Sequence, residues 1–81
     1  MDSKAYQLSL EVLAELCRAR GKFPAFHSAH EGIGVLFEEV CELWDEVREK
    51  NADADKMRGE AIQVAAMAMR FVLDVCDAGK E

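Results

Sequence analysis

From Asp53 to Ala78 the chain is apolar on two sides of what reads as a single helix. At about 100° per residue, Ile62, Ala65, Met69, Val72 and Cys76 form one stripe, and Ala61, Val64, Ala68, Phe71 and Val75 form a second. Only a narrow strip of Glu60, Gln63, Arg70 and Asp74 stays polar. Such a helix needs apolar cover on both flanks, and a chain of 81 residues has few other elements to supply it. A domain of this size buries only roughly 60% of its unfolded surface. The second stripe is therefore expected to meet another subunit, with Ala61, Ala65, Ala66 and Ala68 permitting close approach. A homodimer is the simplest outcome, and a homotetramer is also open.

The remaining segments share the helical spacing. The first helix is expected over about residues 3–19, with Tyr6, Leu10, Leu13 and Cys17 on one stripe, Gly21 as its C′ residue and Pro24 barring continuation. The second begins with a capping box in which Ser28 and Glu31 each satisfy the other's backbone N–H, and runs over about residues 28–50. Its stripe of Ile33, Leu36, Val40, Leu43 and Val47 is spaced 3, 4, 3, 4, as in closely aligned helices. The third is expected over about residues 54–78, stopping at Gly79. No alternating β-branched run suggests a strand. The fold class this predicts is all-α: one domain, residues 1–81, built as a three-helix bundle that homo-oligomerisation completes.

Composition narrows the function. Acidic residues outnumber basic ones 16 to 10, for a net charge of −6. That sign argues against nucleic acid and against anionic membrane surfaces as partners, both of which need basic patches. The longest apolar run, Val64 to Met69, is too short to span a bilayer, and the first residues show no secretory pattern. Cys17, Cys41 and Cys76 are too scattered for a disulfide framework or zinc knuckle and read as buried reduced thiols. A cytoplasmic protein is expected.

The chemistry points to the second helix. Between Glu31 and Glu49 lie seven acidic side chains against one basic, Arg48. Glu39, Glu42 and Glu46 span only about 60° of the wheel, beside the apolar seam. Like charges at i,i+4 cost a few tenths of a kcal/mol per pair, and Glu38/Glu42, Glu42/Glu46 and Asp45/Glu49 repeat that conflict. A solvated acidic face accounts for such a pattern as well as a Mg²⁺ site does. Glu60 and Gln63, one turn apart on the polar strip, favour the metal, because antiparallel packing of helices two and three brings Glu60 toward Glu42.

Glu38-Glu39-Val-Cys-Glu42-Leu-Trp-Asp-Glu46, followed 18 positions after Glu42 by Glu60-Ala-Ile-Gln63, resembles the MazG-like all-α nucleoside triphosphate pyrophosphohydrolases. Their signature is E-x-x-E, a variable gap, then E-x-x-D on two helices, and the resemblance covers about residues 28–76. It implies Mg²⁺-dependent cleavage between the α- and β-phosphates of a nucleoside triphosphate, with Mn²⁺ as a substitute ion. Carried over by position, Glu39, Glu42, Glu60 and Gln63 match metal ligands, and Glu38 becomes the candidate general base. Gln63 replaces the aspartate of the motif: an amide oxygen can coordinate Mg²⁺, but one formal negative charge is lost.

His30, in the first turn of helix two, and Arg70, on the polar strip, are candidates for substrate contact. Arg70 also reads as the partner of Asp74, and the i,i+3 pair His27/His30 lacks a third zinc ligand. Phe37, Trp44, Met67 and Met69 read as core or interface. The alternative functional reading, prompted by Gln63, is a catalytically weak or inactive helical dimer used as an interaction or regulatory module.

Overall fold

A computed structural model describes residues 2–78. Within them the chain forms α1 (Ser3–Lys22), α2 (Ala29–Val47) and α3 (Ala54–Phe71), the last prolonged by a π-helical turn over Val72–Cys76. There is no strand among the described residues, and no helix is long and apolar enough to cross a membrane. The expected stop at Gly79 lies outside the described residues.

Each helix start has its cap. Asp2 accepts from the Lys4 N–H at 2.9 Å, Ser28 from Glu31 at 3.1 Å and Asp53 from Asp55 at 2.8 Å. The capping box differs from expectation in its return bond: the Glu31 carboxylate accepts from the His27 N–H at 3.2 Å, one residue before the cap. Two helix ends also differ. Gly21 is not a C′ residue, because α1 continues through it to Lys22 and stops at Phe23, whose extended backbone is what a following proline imposes. At the other boundary α2 ends at Val47, short of Lys50.

The third helix is the centre of the bundle. It packs against both α1 and α2, which barely touch one another. Glu11 meets Arg58 and the Phe23 carbonyl meets Arg70, so α1 runs parallel to α3. Gly32 lies beside Phe71, and Glu42 beside Glu60, so α2 runs antiparallel to it. An added Cβ on Gly32 would stand 2.7 Å from the Phe71 ring, so this close approach of α2 to α3 requires glycine.

The core is Leu16, Ala19, Phe26, Ala66 and Met67, supported by Val12, Val35, Leu36, Phe71 and Val75. This corrects the expected faces. On α3 the deepest positions are Ala66, Met67 and Arg70, on the side of the polar strip, because α1 and α2 close over that side. On α1 the stripe of Tyr6, Leu10, Leu13 and Cys17 is exposed, and Leu16 and Ala19 face inward instead. All three cysteines are exposed, not buried, for the same reason: they lie on outward faces. On α2, Ile33, Phe37, Val40, Trp44 and Val47 form an unbroken 4, 3, 4, 3 stripe with every member at least 42% exposed. Ala61 and Ala68, from the second α3 stripe, are exposed as well, whereas its Val64, Phe71 and Val75 are half-buried.

Candidate metal centre

The antiparallel register of α2 and α3 brings three carboxylates together. Glu39 and Glu42 are three residues apart on α2 and share a face, and Glu60 reaches them from the second turn of α3. One oxygen from each lies within 4.8 Å of the others. Glu42 sits between its two neighbours, and its charge bears on both Glu39 and Glu60.

The electrostatics are those of charges brought together without a partner. Burial, then the charge of Glu42, pushes the Glu39 carboxyl up to about 7. Burial and Glu42 raise Glu60 too, with Glu46 adding to the repulsion. One oxygen of Glu39, Oε2, is buried with no hydrogen-bond partner. Arginine does not relieve the cluster. Arg18, Arg48, Arg58 and Arg70 pair with Glu15, Asp45, Glu11 and Asp74 in turn. The donor set, hard carboxylate oxygens plus one orphaned buried oxygen, fits a small divalent cation that prefers oxygen.

The other candidate residues lie around this centre. Gln63 lines a cavity beside Glu39 and lies close enough to Glu15 of α1 to influence its carboxyl. Arg18, and more weakly Gln63, hold the Glu15 carboxyl below the usual value. Glu38 is exposed next to Glu39, outside the group of three. His30 is exposed and does not line the cavity. Neither it nor His27 belongs to any cluster of three potential metal-binding side chains among the described residues, and His27 faces Glu31 at 3.3 Å.

Arg70 lines the cavity and pairs with Asp74, the partner its spacing offered. It is only 3% exposed, its Nε donates to Asp74 at 3.1 Å, and its Nη2 donates to the Phe23 carbonyl at 2.9 Å and to that of Pro24. Its charge is neutralised by Asp74 and its donors tie down the α1–α2 loop.

Sequence reasoning missed what α1 and its following loop supply. Glu15 and Arg18, an i,i+3 pair, border the site beside Gln63, and Phe23, Pro24 and Phe26 wall the cavity next to Glu39. The Glu15/Arg18 spacing was the available signal; of the loop residues only Pro24 was read, as the bar to helix continuation. No family model matches the chain, and no curated protein or solved structure is significantly similar to it.

Proposed function

We propose that the protein is a Mg²⁺-dependent nucleoside triphosphate pyrophosphohydrolase of MazG-like type. The reaction is cleavage between the α- and β-phosphates, giving a nucleoside monophosphate and pyrophosphate. The observation that carries this reading is the convergence of Glu39, Glu42 and Glu60 within 4.8 Å with no arginine to neutralise them. Those three side chains hold the ion. Gln63, which lines the cavity beside Glu39, contributes its amide oxygen. Bound Mg²⁺ supplies charge neutralisation on phosphate oxygens and orders the reacting groups. Glu38, exposed beside Glu39, is the residue we assign to orienting the attacking water as general base. Mn²⁺ substitutes for Mg²⁺ in this scheme.

The same reading takes the protein as a cytoplasmic homodimer or homotetramer, in which the exposed α2 stripe and the exposed alanines of α3 are covered by another copy. Nucleic acid and membrane are not partners. A weakly active or inactive interaction module is the second reading, favoured by Gln63 at the place of a fourth carboxylate.

Pyrophosphate release, followed across a panel of nucleoside triphosphates with Mg²⁺, tests the proposal. Wild type is expected to turn over at least one nucleotide, and Glu42→Gln to lose roughly 100-fold or more, about 3 kcal/mol of transition-state stabilisation. Absence of turnover by wild type with either Mg²⁺ or Mn²⁺ overturns the enzymatic reading. A melting temperature that ignores both metals, with and without nucleotide, supports the module.

A further inference from the structure

Gln63 differs from the three carboxylates in one respect that matters to a cation. A carboxylate presents an oxygen whichever way it turns, whereas the glutamine side chain ends in one oxygen and one NH₂ group. Only the oxygen can meet a positive ion, so a centre that uses Gln63 needs something to draw the NH₂ end away. Gln63 stands one turn after Glu60 on α3 and lines the same cavity, about 360 Å³, as Glu39.

On α1 the inward side carries an acid where hydrocarbon is the rule. Glu15 is one turn before Ala19, which is 2% exposed, and next to Leu16, and its own side chain is only 16% exposed. A glutamate so placed is kept only with partners. Arg18 is one: its Nε donates to both carboxylate oxygens at 3.0 Å, and its Nη2 closes on Oε1. Arg18 is itself half-exposed and lines the cavity together with Gln63 and Glu39. Gln63 is the other, since Arg18 first and Gln63 with it hold the Glu15 carboxyl below its usual value. An i,i+3 ion pair forms as readily on the outer face of a helix, so Arg18 alone does not call for an inward glutamate. An ionised carboxylate only accepts hydrogen bonds. It therefore attracts the NH₂ end of a neighbouring amide and repels the oxygen.

We propose that Glu15 is a positioning residue of the metal centre: it takes the NH₂ end of Gln63, turns the amide oxygen toward the carboxylates, and lends from α1 the negative charge that an amide lacks. It is the amide counterpart of the outer carboxylates that orient metal-binding histidines. The proposal rests on the reading of Glu39, Glu42 and Glu60 as cation ligands.

Binding of Mn²⁺, followed as loss of the free-ion signal in electron paramagnetic resonance, tests this without turnover. Glu15→Gln keeps the size of the side chain but offers both a donor and an acceptor, so the Gln63 amide loses its fixed direction. It is expected to weaken Mn²⁺ binding roughly tenfold, the lower end of outer-shell effects. In the Gln63→Glu background the ligand is a carboxylate with no end to choose, and there Glu15→Gln should leave the affinity unchanged or raise it. Arg18→Gln, which breaks the ion pair but keeps the Glu15 charge, should cost no affinity. Undiminished binding by Glu15→Gln overturns the proposal. So does an equal loss in both Gln63 backgrounds, or a loss with Arg18→Gln as large as with Glu15→Gln, since each marks a general field or a structural ion pair. In all three cases the metal centre stands. Failure of wild type to bind Mn²⁺ overturns the reading of the carboxylates together with the role built on it.

Discussion

Neutralising Glu39 should stabilise the metal-free protein, and only above a definite pH. The carboxyl titrates near 7 in the folded chain against 4.5 for the free group. The folded state thus binds a proton more tightly than the unfolded one. The stability this contributes is fully present below about pH 4.5 and is lost as pH rises through about 7. Carried whole, a shift of this size is worth about 3 kcal/mol. Glu39 is partly open to solvent, and screening there reduces the expected effect to about 1.5 kcal/mol. For a domain of this size that is a change of about 6–12 °C in melting temperature. Glu39→Gln should therefore melt about 6–12 °C above wild type at pH 8 in a chelating buffer and within a degree or two of it at pH 5. Circular dichroism melts at both values measure this. Millimolar Mg²⁺ should raise the wild-type midpoint at pH 8 and close the gap, since the ion stabilises the ionised form that Glu39→Gln lacks. A variant that melts below wild type at pH 8, or differs from it equally at both pH values, would refute the reasoning.

Two further outcomes test the packing. Gly32→Ala forces a methyl group to 2.7 Å from Phe71 and 3.1 Å from Phe26, so overpacking of about 1–3 kcal/mol should outweigh the helix-propensity gain of about 1 kcal/mol. Gly34→Ala meets nothing within 4 Å and should raise the midpoint, so thermal melts of the pair should move in opposite directions. On the exposed α2 stripe, Trp44→Glu should yield a monomer by sedimentation with helical content retained. A wild-type monomer, or a mass that Trp44→Glu leaves unchanged, argues against this face as the subunit contact.

The element order and the acidic constellation were legible in the sequence because both rest on local spacing. Apolar recurrence every three to four residues marks the helices. Three glutamates within about 60° of the wheel mark a face whose charges conflict whatever the tertiary structure. Burial was less legible. The polar strip of α3 reads as the side turned to water, yet it carries Arg70 and lies beside Ala66 and Met67 at the centre of the bundle. Hydropathy cannot foresee this, because the strip is made compatible with burial by partners distant in sequence: Phe23 and Pro24 for Arg70 and Phe26 for Asp74. The α1 stripe was misjudged for a related reason, since Leu16 and Ala19 face the core while Tyr6, Leu10 and Leu13 do not. Two faces of α1 carry leucine, and periodicity alone does not rank them. Helix ends shifted where neighbours intervened, as when Pro24 rather than Gly21 set the end of α1.

The polar strip of α3 carries two acidic positions that the fold treats in opposite ways. At its C-terminal end Asp74 is buried and fully answered, by the Arg70 guanidinium and by the Phe26 N–H. At its N-terminal end Glu60 is set against Glu42, Glu46 and Glu39, and among the described residues it enters no ion pair. Arg58 is only two residues away but turns to Glu11 on α1, and Arg18 closes on Glu15. Had the acidic surplus of α2 been only a solvated face, one of these arginines could have joined it and relieved a conflict worth several tenths of a kcal/mol per pair. Instead each is drawn to a carboxylate on α1, and the unanswered charge is concentrated at one point beside a ring-lined cavity. A charge excess that the cations of the described residues leave uncompensated, at a point several elements converge to build, is what our proposal of a bound divalent cation accounts for.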